Sequence, residues 1–172
     1  MYLTVRMKFQ NGDDYLSDAA SAYTRAVADF TEASMTNGTV CEQGRRYVFS
    51  SDSLRKAERE AKRRVRMIRD DKISAEDPIP EHCVFSSLSF SFDLPRRVLR
   101  IQAYGKQVRE LVFRTDHYRM ILLNELRPLS LRVEQRDGVW YGWLLGYISE
   151  EKYWNTRDYI REERAMIKHA ES

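Results

Sequence analysis

At 172 residues, 42% hydrophobic and 32% charged, the chain can form one large or two small domains around a real core. No apolar run approaches the ~20 residues of a membrane-spanning helix, and the first ten residues, MYLTVRMKFQ, alternate instead of forming a signal peptide's continuous apolar segment. These features exclude a helical membrane protein and point to a cytoplasmic one. Net charge is only +3 but is unevenly placed. Residues 53–72 hold nine basic and four acidic side chains, and residues 94–114 hold six basic and one acidic, whereas residues 1–37 and 149–172 are slightly acidic. Two basic segments in a nearly neutral chain are the footprint of a polyanionic partner, nucleic acid above all.

In chain order, residues 2–10 alternate apolar and polar, the pattern of a half-buried strand that Asn11-Gly12 ends. A helix is predicted from about Tyr15 to Met35, with Leu16, Ala19, Ala20, Tyr23, Ala26, Val27 and Phe30 at helical spacing. Residues 37–52 read as a loop, or as a short strand pair around Tyr47-Val48-Phe49, and carry Arg45 and Arg46. The serines at 50–53 offer helix caps, and the helix they open runs to about Asp71. Its apolar stripe is narrow: Leu54, Ala57, Ala61, Val65 and Ile68. Eight cations fall within residues 55–69. Among them Arg55, Arg59, Lys62, Arg66 and Arg69 recur at three and four residues and share a face. Such a ridge of cations, Arg63 included, suits a phosphate backbone.

Residues 72–82 carry two prolines and read as a connector. From Cys83 the period changes to two. CVFSSLSFSF predicts one strand with Val84, Leu88, Phe90 and Phe92 on a single face. RVLRIQAY places Leu99, Ile101 and Ala103 inward and Arg100 and Gln102 outward, between turns at residues 93–96 and at Gly105-Lys106. QVRELVF follows, with Leu111 and Phe113 inward or Val108 and Val112 on the opposite face. Thr115 is a candidate cap for a short helix from Asp116 to about Leu126. Then Leu129, Leu131 and Val133 alternate with polar residues up to Asp137-Gly138, the pair a type I′ hairpin turn demands. The uncharged return run VWYGWLLGYI reads as a central strand covered on both faces, and Trp140 and Tyr141 near the tip are candidate base-stacking residues beside Arg136. A final helix, from about Glu150 to His169, has few strong apolar positions and suits a surface or a docking role.

The first strand needs partners, and only the late strands are available. The predicted fold is therefore α+β: a small antiparallel β-barrel from residues 1–12 and 83–148, a two-helix insertion over 13–82, and a C-terminal helix over 149–172. Cys41 and Cys83 do not have zinc-ligand spacing, and the three histidines form no local motif. The acidic pairs Asp13-Asp14, Asp70-Asp71, Glu76-Asp77 and Glu150-Glu151 sit at helix ends or in loops, where capping explains them. Neither a metal nor a cofactor is expected.

The order of these elements resembles the N-terminal lobe of the TnpB-type transposon nucleases and type V CRISPR effectors. The matching runs are Phe-Ser-Ser-Leu-Ser-Phe-Ser-Phe-Asp, Arg-Val-Leu-Arg-Ile before a glycine turn, a Val-Phe strand, a Tyr-containing helix ending in Leu-Leu, and Leu-Arg-Val-Glu-Gln-Arg-Asp-Gly-Val-Trp-Tyr. In the last, Val139 stands where lysine is commoner in the family. Leu3-Thr4-Val5-Arg6-Met7-Lys8 resembles the family's first strand. The likeness covers most of residues 1–148, weakly over 11–83. It implies a wedge-type, oligonucleotide-binding-like barrel and a small recognition (REC) insertion.

The family's RuvC nuclease carries a strand with Asp-X-Gly and a zinc ribbon. Residues after Ile148 show no such strand, and the sequence contains no Cys-X-X-Cys. The resemblance therefore implies a non-catalytic guide-RNA-binding subunit of a split effector, completed in trans by a RuvC-bearing partner. Target DNA and a second copy of the chain are further candidate partners. The alternative is a regulator that competes for an effector's guide RNA or interface. The residues expected to meet nucleic acid are Arg45 and Arg46; Arg55, Arg59, Lys62, Arg63, Arg66 and Arg69; Arg96, Arg97, Arg100 and Lys106; and Arg136, Trp140 and Tyr141.

Overall fold

A computed structural model describes residues 1–36 and 49–172. Arg45, Arg46, Cys41 and most of the expected strand pair at 47–49 lie outside the described residues. Alternation makes Tyr2–Phe9 a strand, β1, and helical periodicity makes Asp13–Met35 a helix, α1. The second helix, α2, spans Ser51–Arg69, and the Ser50 hydroxyl accepts from the Ser53 amide at its start. Strands β2 (His82–Ser86), β3 (Phe90–Asp93), β4 (Val98–Ile101) and β5 (Arg109–Arg114) follow. A short helix, α3 (His117–Glu125), leads into the hairpin β6 (Arg127–Arg136) and β7 (Val139–Tyr147), and α4 (Glu150–Glu171) comes last.

The seven strands form one antiparallel sheet in the order β2-β6-β7-β1-β5-β4-β3. As expected, β1 pairs with late strands: Tyr2 to Lys8 lie against β7, and Lys8 and Phe9 against β5. The expected closed barrel is not formed, because the two edge strands, β2 and β3, share no ladder. The cause is local. The single strand predicted from Cys83 breaks at Ser87–Ser89 into a 3-10 turn, and the Ser86 side chain accepts from the Leu88 amide there. The turn sends β2 to β6 and β3 to β4. The predicted facing holds beyond the turn, where Phe90 is buried and Phe92 packs on the core, but fails before and within it: Cys83 and Phe85 are buried, Val84 is half-buried, and Leu88 is exposed. The sheet is nonetheless curled. Flat, seven strands at about 4.8 Å spacing would put the edges roughly 29 Å apart, whereas the link from Ser86 to Phe90 reaches about 14 Å at most.

The hairpin turn is as the sequence demands, with Asp137 and Gly138 both at positive φ, 52° and 78°. Strand β7 is central but is covered on one face only. Trp140, Gly142, Leu144 and Gly146 face the core, while Val139, Tyr141 and Trp143 are half-buried and Leu145 and Tyr147 exposed. Gly142 is required by close approach, since a Cβ there would lie 2.9 Å from Phe9 and 3.1 Å from Leu131 and Met7. On the core side the sheet packs against α1, and α2 reaches the same core through Ala57 and Ala61. These alanines let α2 lie close to α1 while its long cations stay outside. On β4 and β5, Leu99, Ile101, Leu111 and Phe113 point inward, and Val108 is exposed. The cap of α3 is Asp116 rather than Thr115: its carboxylate accepts from the Arg119 amide at 2.8 Å, and Thr115 Oγ1 donates to the Arg6 carbonyl.

Candidate nucleic-acid interface

The α2 cations divide once the helix is docked. Arg64 turns towards the connector and donates to the Asp77 carbonyl at 2.5 Å. Arg55 and Lys62 make surface pairs with Asp52 and Glu58, at 3.6 and 3.3 Å, and contacts of this kind hold a side chain only weakly. Lys56, Arg59, Arg63 and Arg66 face a cleft of about 320 Å³, whose opposite wall is Val84 of β2 and Arg132 of β6. Among the described residues, no carboxylate lies within ion-pair distance of Arg59, Arg63 or Arg66, and all three are exposed. Burial holds the Lys56 ammonium below its ordinary value, and the neighbouring Arg59 charge adds to that effect against the pull of Asp52. A second cleft of about 310 Å³ continues the cationic surface through Arg66, Lys62 and Arg69 towards Ser34 of α1.

Among the described residues the one carboxylate lining the first cleft, Glu60, is already engaged. Tyr23 donates to its Oε2 at 3.0 Å, and Nε2 of the buried His82 lies 2.6 Å from its Oε1. His82 Nδ1 lies 2.6 Å from the Pro80 carbonyl, so each ring nitrogen has an oxygen within hydrogen-bond distance. Arg132 stands 4.0 Å from Glu60 and donates from Nε to Glu134 at 2.7 Å. Burial pushes the Glu60 carboxyl up, but the hydrogen bond and charge of His82, then the Tyr23 hydroxyl and Arg132, outweigh it and hold the group below the ordinary value of 4.5. Burial, then the Glu60 charge, raises the Tyr23 hydroxyl, so it remains a donor. Glu60 thus organises the floor of the cleft and pairs with Arg132, but it lies outside ion-pair distance of Arg59, Arg63 and Arg66.

The second basic segment has a different fate. Arg96 sits 3.5 Å from Asp93 and 3.6 Å from Glu110, and Arg100 donates to Glu110 at 3.1 Å. Arg97, at φ 52°, occupies the β3–β4 turn. Arg96, Arg97, Arg100 and Lys106 are exposed, but none lines the α2 cleft. Arg136 lies 3.6 Å from Glu134, with its guanidinium 4.7 Å from the Trp143 ring centre. Trp140, at 2% exposure, is a core residue and cannot stack on a base. Tyr141 lies on the outer face, half-buried under Arg6 at 5.6 Å.

Sequence reasoning missed Lys56 and Arg132 as partners in one cleft. The outward phase of Arg132 on its strand was readable, but its approach to α2 depends on β2 pairing with β6, which no local pattern specifies. The Tyr23–Glu60–His82 cluster was missed for the same reason. Its members come from α1, α2 and the start of β2.

No described helix is long and apolar enough to cross a membrane, and among the described residues no group of three or more His, Cys, Asp or Glu side chains is arranged to hold a metal. No protein-family model matches the chain, and no curated protein matches it.

Proposed function

We propose that this chain is a non-catalytic RNA-binding protein that grips a structured RNA along the exposed face of α2. The observation that carries the reading is the convergence of Lys56, Arg59, Arg63 and Arg66 with Arg132 on one cleft, whose only lining carboxylate among the described residues is held by Tyr23 and His82. Arginines that crowd without acidic partners repel one another until a polyanion arrives, and their planar forks match phosphate oxygens.

The resemblance to the TnpB and type V lobe supplies the finer reading. The RNA is a guide-type RNA, the curled sheet serves as the wedge-like element, α1 and α2 serve as the REC-like insertion, and nuclease chemistry belongs to a RuvC-bearing partner. Target DNA would then share the cationic surface. The test is to purify the chain from its native host, then extract and sequence what travels with it. One structured RNA species enriched over total RNA is the expected result. Recovery of no RNA above background would contradict the proposal. RNA that accompanies the chain yet blocks cleavage in a reconstituted mixture would move the assignment to a competitor of the effector.

A further inference from the structure

The strand alternation that buries Trp140 leaves an aromatic row on the outward face. The β1–β7 register sets Tyr2 opposite Tyr147, Arg6 opposite Trp143 and Lys8 opposite Tyr141. Tyr2 and Tyr147 meet edge-on at 5.5 Å and are 69% and 41% exposed. Tyr141 and Trp143 lie 6.1 Å apart, centre to centre. A merely solvated antiparallel face carries polar residues at its outward positions. This one carries four aromatic rings and the exposed Leu145.

Its charge narrows the partner. Arg6, Lys8 and Arg136 share the face, Arg132 stands at its border with the α2 cleft, and Glu134 is engaged by both Arg132 and Arg136. Tyr2 and Tyr147 are exposed, and Tyr141 and Trp143 are half-buried beneath Arg6 and Arg136. A partner that satisfies rings and cations together has flat apolar faces on an anionic chain, which is the chemistry of unpaired nucleotides. We propose that the outward face of β1 and β7 is a stacking platform for single-stranded nucleic acid, distinct from the α2 cleft that holds structured RNA. The platform rests on the reading of the chain as RNA-binding and extends it to unpaired segments.

The test uses the full chain, a labelled oligouridylate of about twelve nucleotides, an oligothymidylate of equal length, a base-paired RNA hairpin, and inorganic polyphosphate as a base-free polyanion. The double variant Trp143→Ala/Tyr147→Ala should bind oligouridylate roughly tenfold more weakly, with hairpin and polyphosphate binding unchanged. Trp143→Phe should retain most of the affinity, because a ring remains. Tyr2→Ser/Tyr147→Ser, at two exposed positions, repeats the test should the first variant fail to fold. A matching loss on oligothymidylate assigns the platform to either polynucleotide, and a loss confined to oligouridylate assigns it to RNA. Unchanged oligouridylate binding in a folded variant that still binds the hairpin overturns the platform alone. An equal loss on polyphosphate overturns base stacking. A wild-type chain that binds neither RNA overturns the platform and the RNA reading together.

Discussion

Residues 53–72 and 94–114 carry the same excess of basic over acidic side chains, yet the fold treats them in opposite ways. In the second segment three of the six cations meet acids: Glu110 lies between Arg96 and Arg100, and Asp14, brought from the start of α1, takes Arg109 at 2.9 Å. In the first segment Arg59, Arg63 and Arg66 stand together without such partners among the described residues, and Arg132 joins them from a distant strand. Segment charge identifies where cations are. Tertiary pairing decides which of them remain available to a ligand. On the proposed reading the α2 face is the binding surface, because Arg59, Arg63 and Arg66 have no acidic partner among the described residues, whereas Arg96, Arg100 and Arg109 have exposed ones.

The strongest way to break this comparison is charge reversal. Arg59→Glu, Arg63→Glu and Arg66→Glu together should weaken structured-RNA binding roughly a hundredfold at ~0.1 M salt, since each lost phosphate contact is worth about fivefold there. Titration of a labelled RNA hairpin checks this, and circular dichroism confirms folding.

Next in size is Glu60→Gln, expected to cost about 2 kcal/mol of stability in denaturant unfolding at neutral pH, because it removes a partly buried carboxylate that serves both Tyr23 and His82. The pH dependence follows from the lowered carboxyl. A group that binds its proton less readily when folded contributes stability above the unfolded value of 4.5, and that contribution is lost as pH falls through the folded value. The wild-type chain should thus lose stability below about pH 4.5, and the Gln variant should show a flatter acid limb. A smaller effect is expected of Arg132→Gln, roughly fivefold on RNA affinity, measured by the same titration. Smallest is Arg96→Glu/Arg100→Glu, for which affinity should stay within about twofold of wild type, since neither residue lines the cleft.

Local patterns made β1, α1, α2 and the β6–β7 hairpin legible, because alternation, helical spacing and the Asp137-Gly138 turn are properties of neighbouring residues. Two features resisted. From Ser87 to Phe92 the run alternates strictly, so the 3-10 turn at Ser87–Ser89 looks like strand, and only the doubled Ser86-Ser87 after Cys83-Val84-Phe85 interrupts the period. That turn is what leaves the sheet open and exposes Leu88. In β7 both faces are apolar, so parity could not tell Trp140, which is core, from Trp143, which is not. Of the candidate interface, the α2 cations were legible from charge and spacing alone. The contribution of Arg132 and the capture of Glu60 by Tyr23 and His82 depend on contacts between distant segments, whereas the pairing of Arg100 with Glu110 follows from the β4–β5 register.

The most direct test of the central claim is the salt dependence of RNA-hairpin affinity, measured for wild type, the α2 triple reversal and Arg96→Glu/Arg100→Glu. The α2 variant should flatten the slope of log affinity against log salt by roughly two units or more, while the β4-side variant keeps the wild-type slope. Equal flattening by both variants, or by neither, would contradict the assignment of RNA binding to α2.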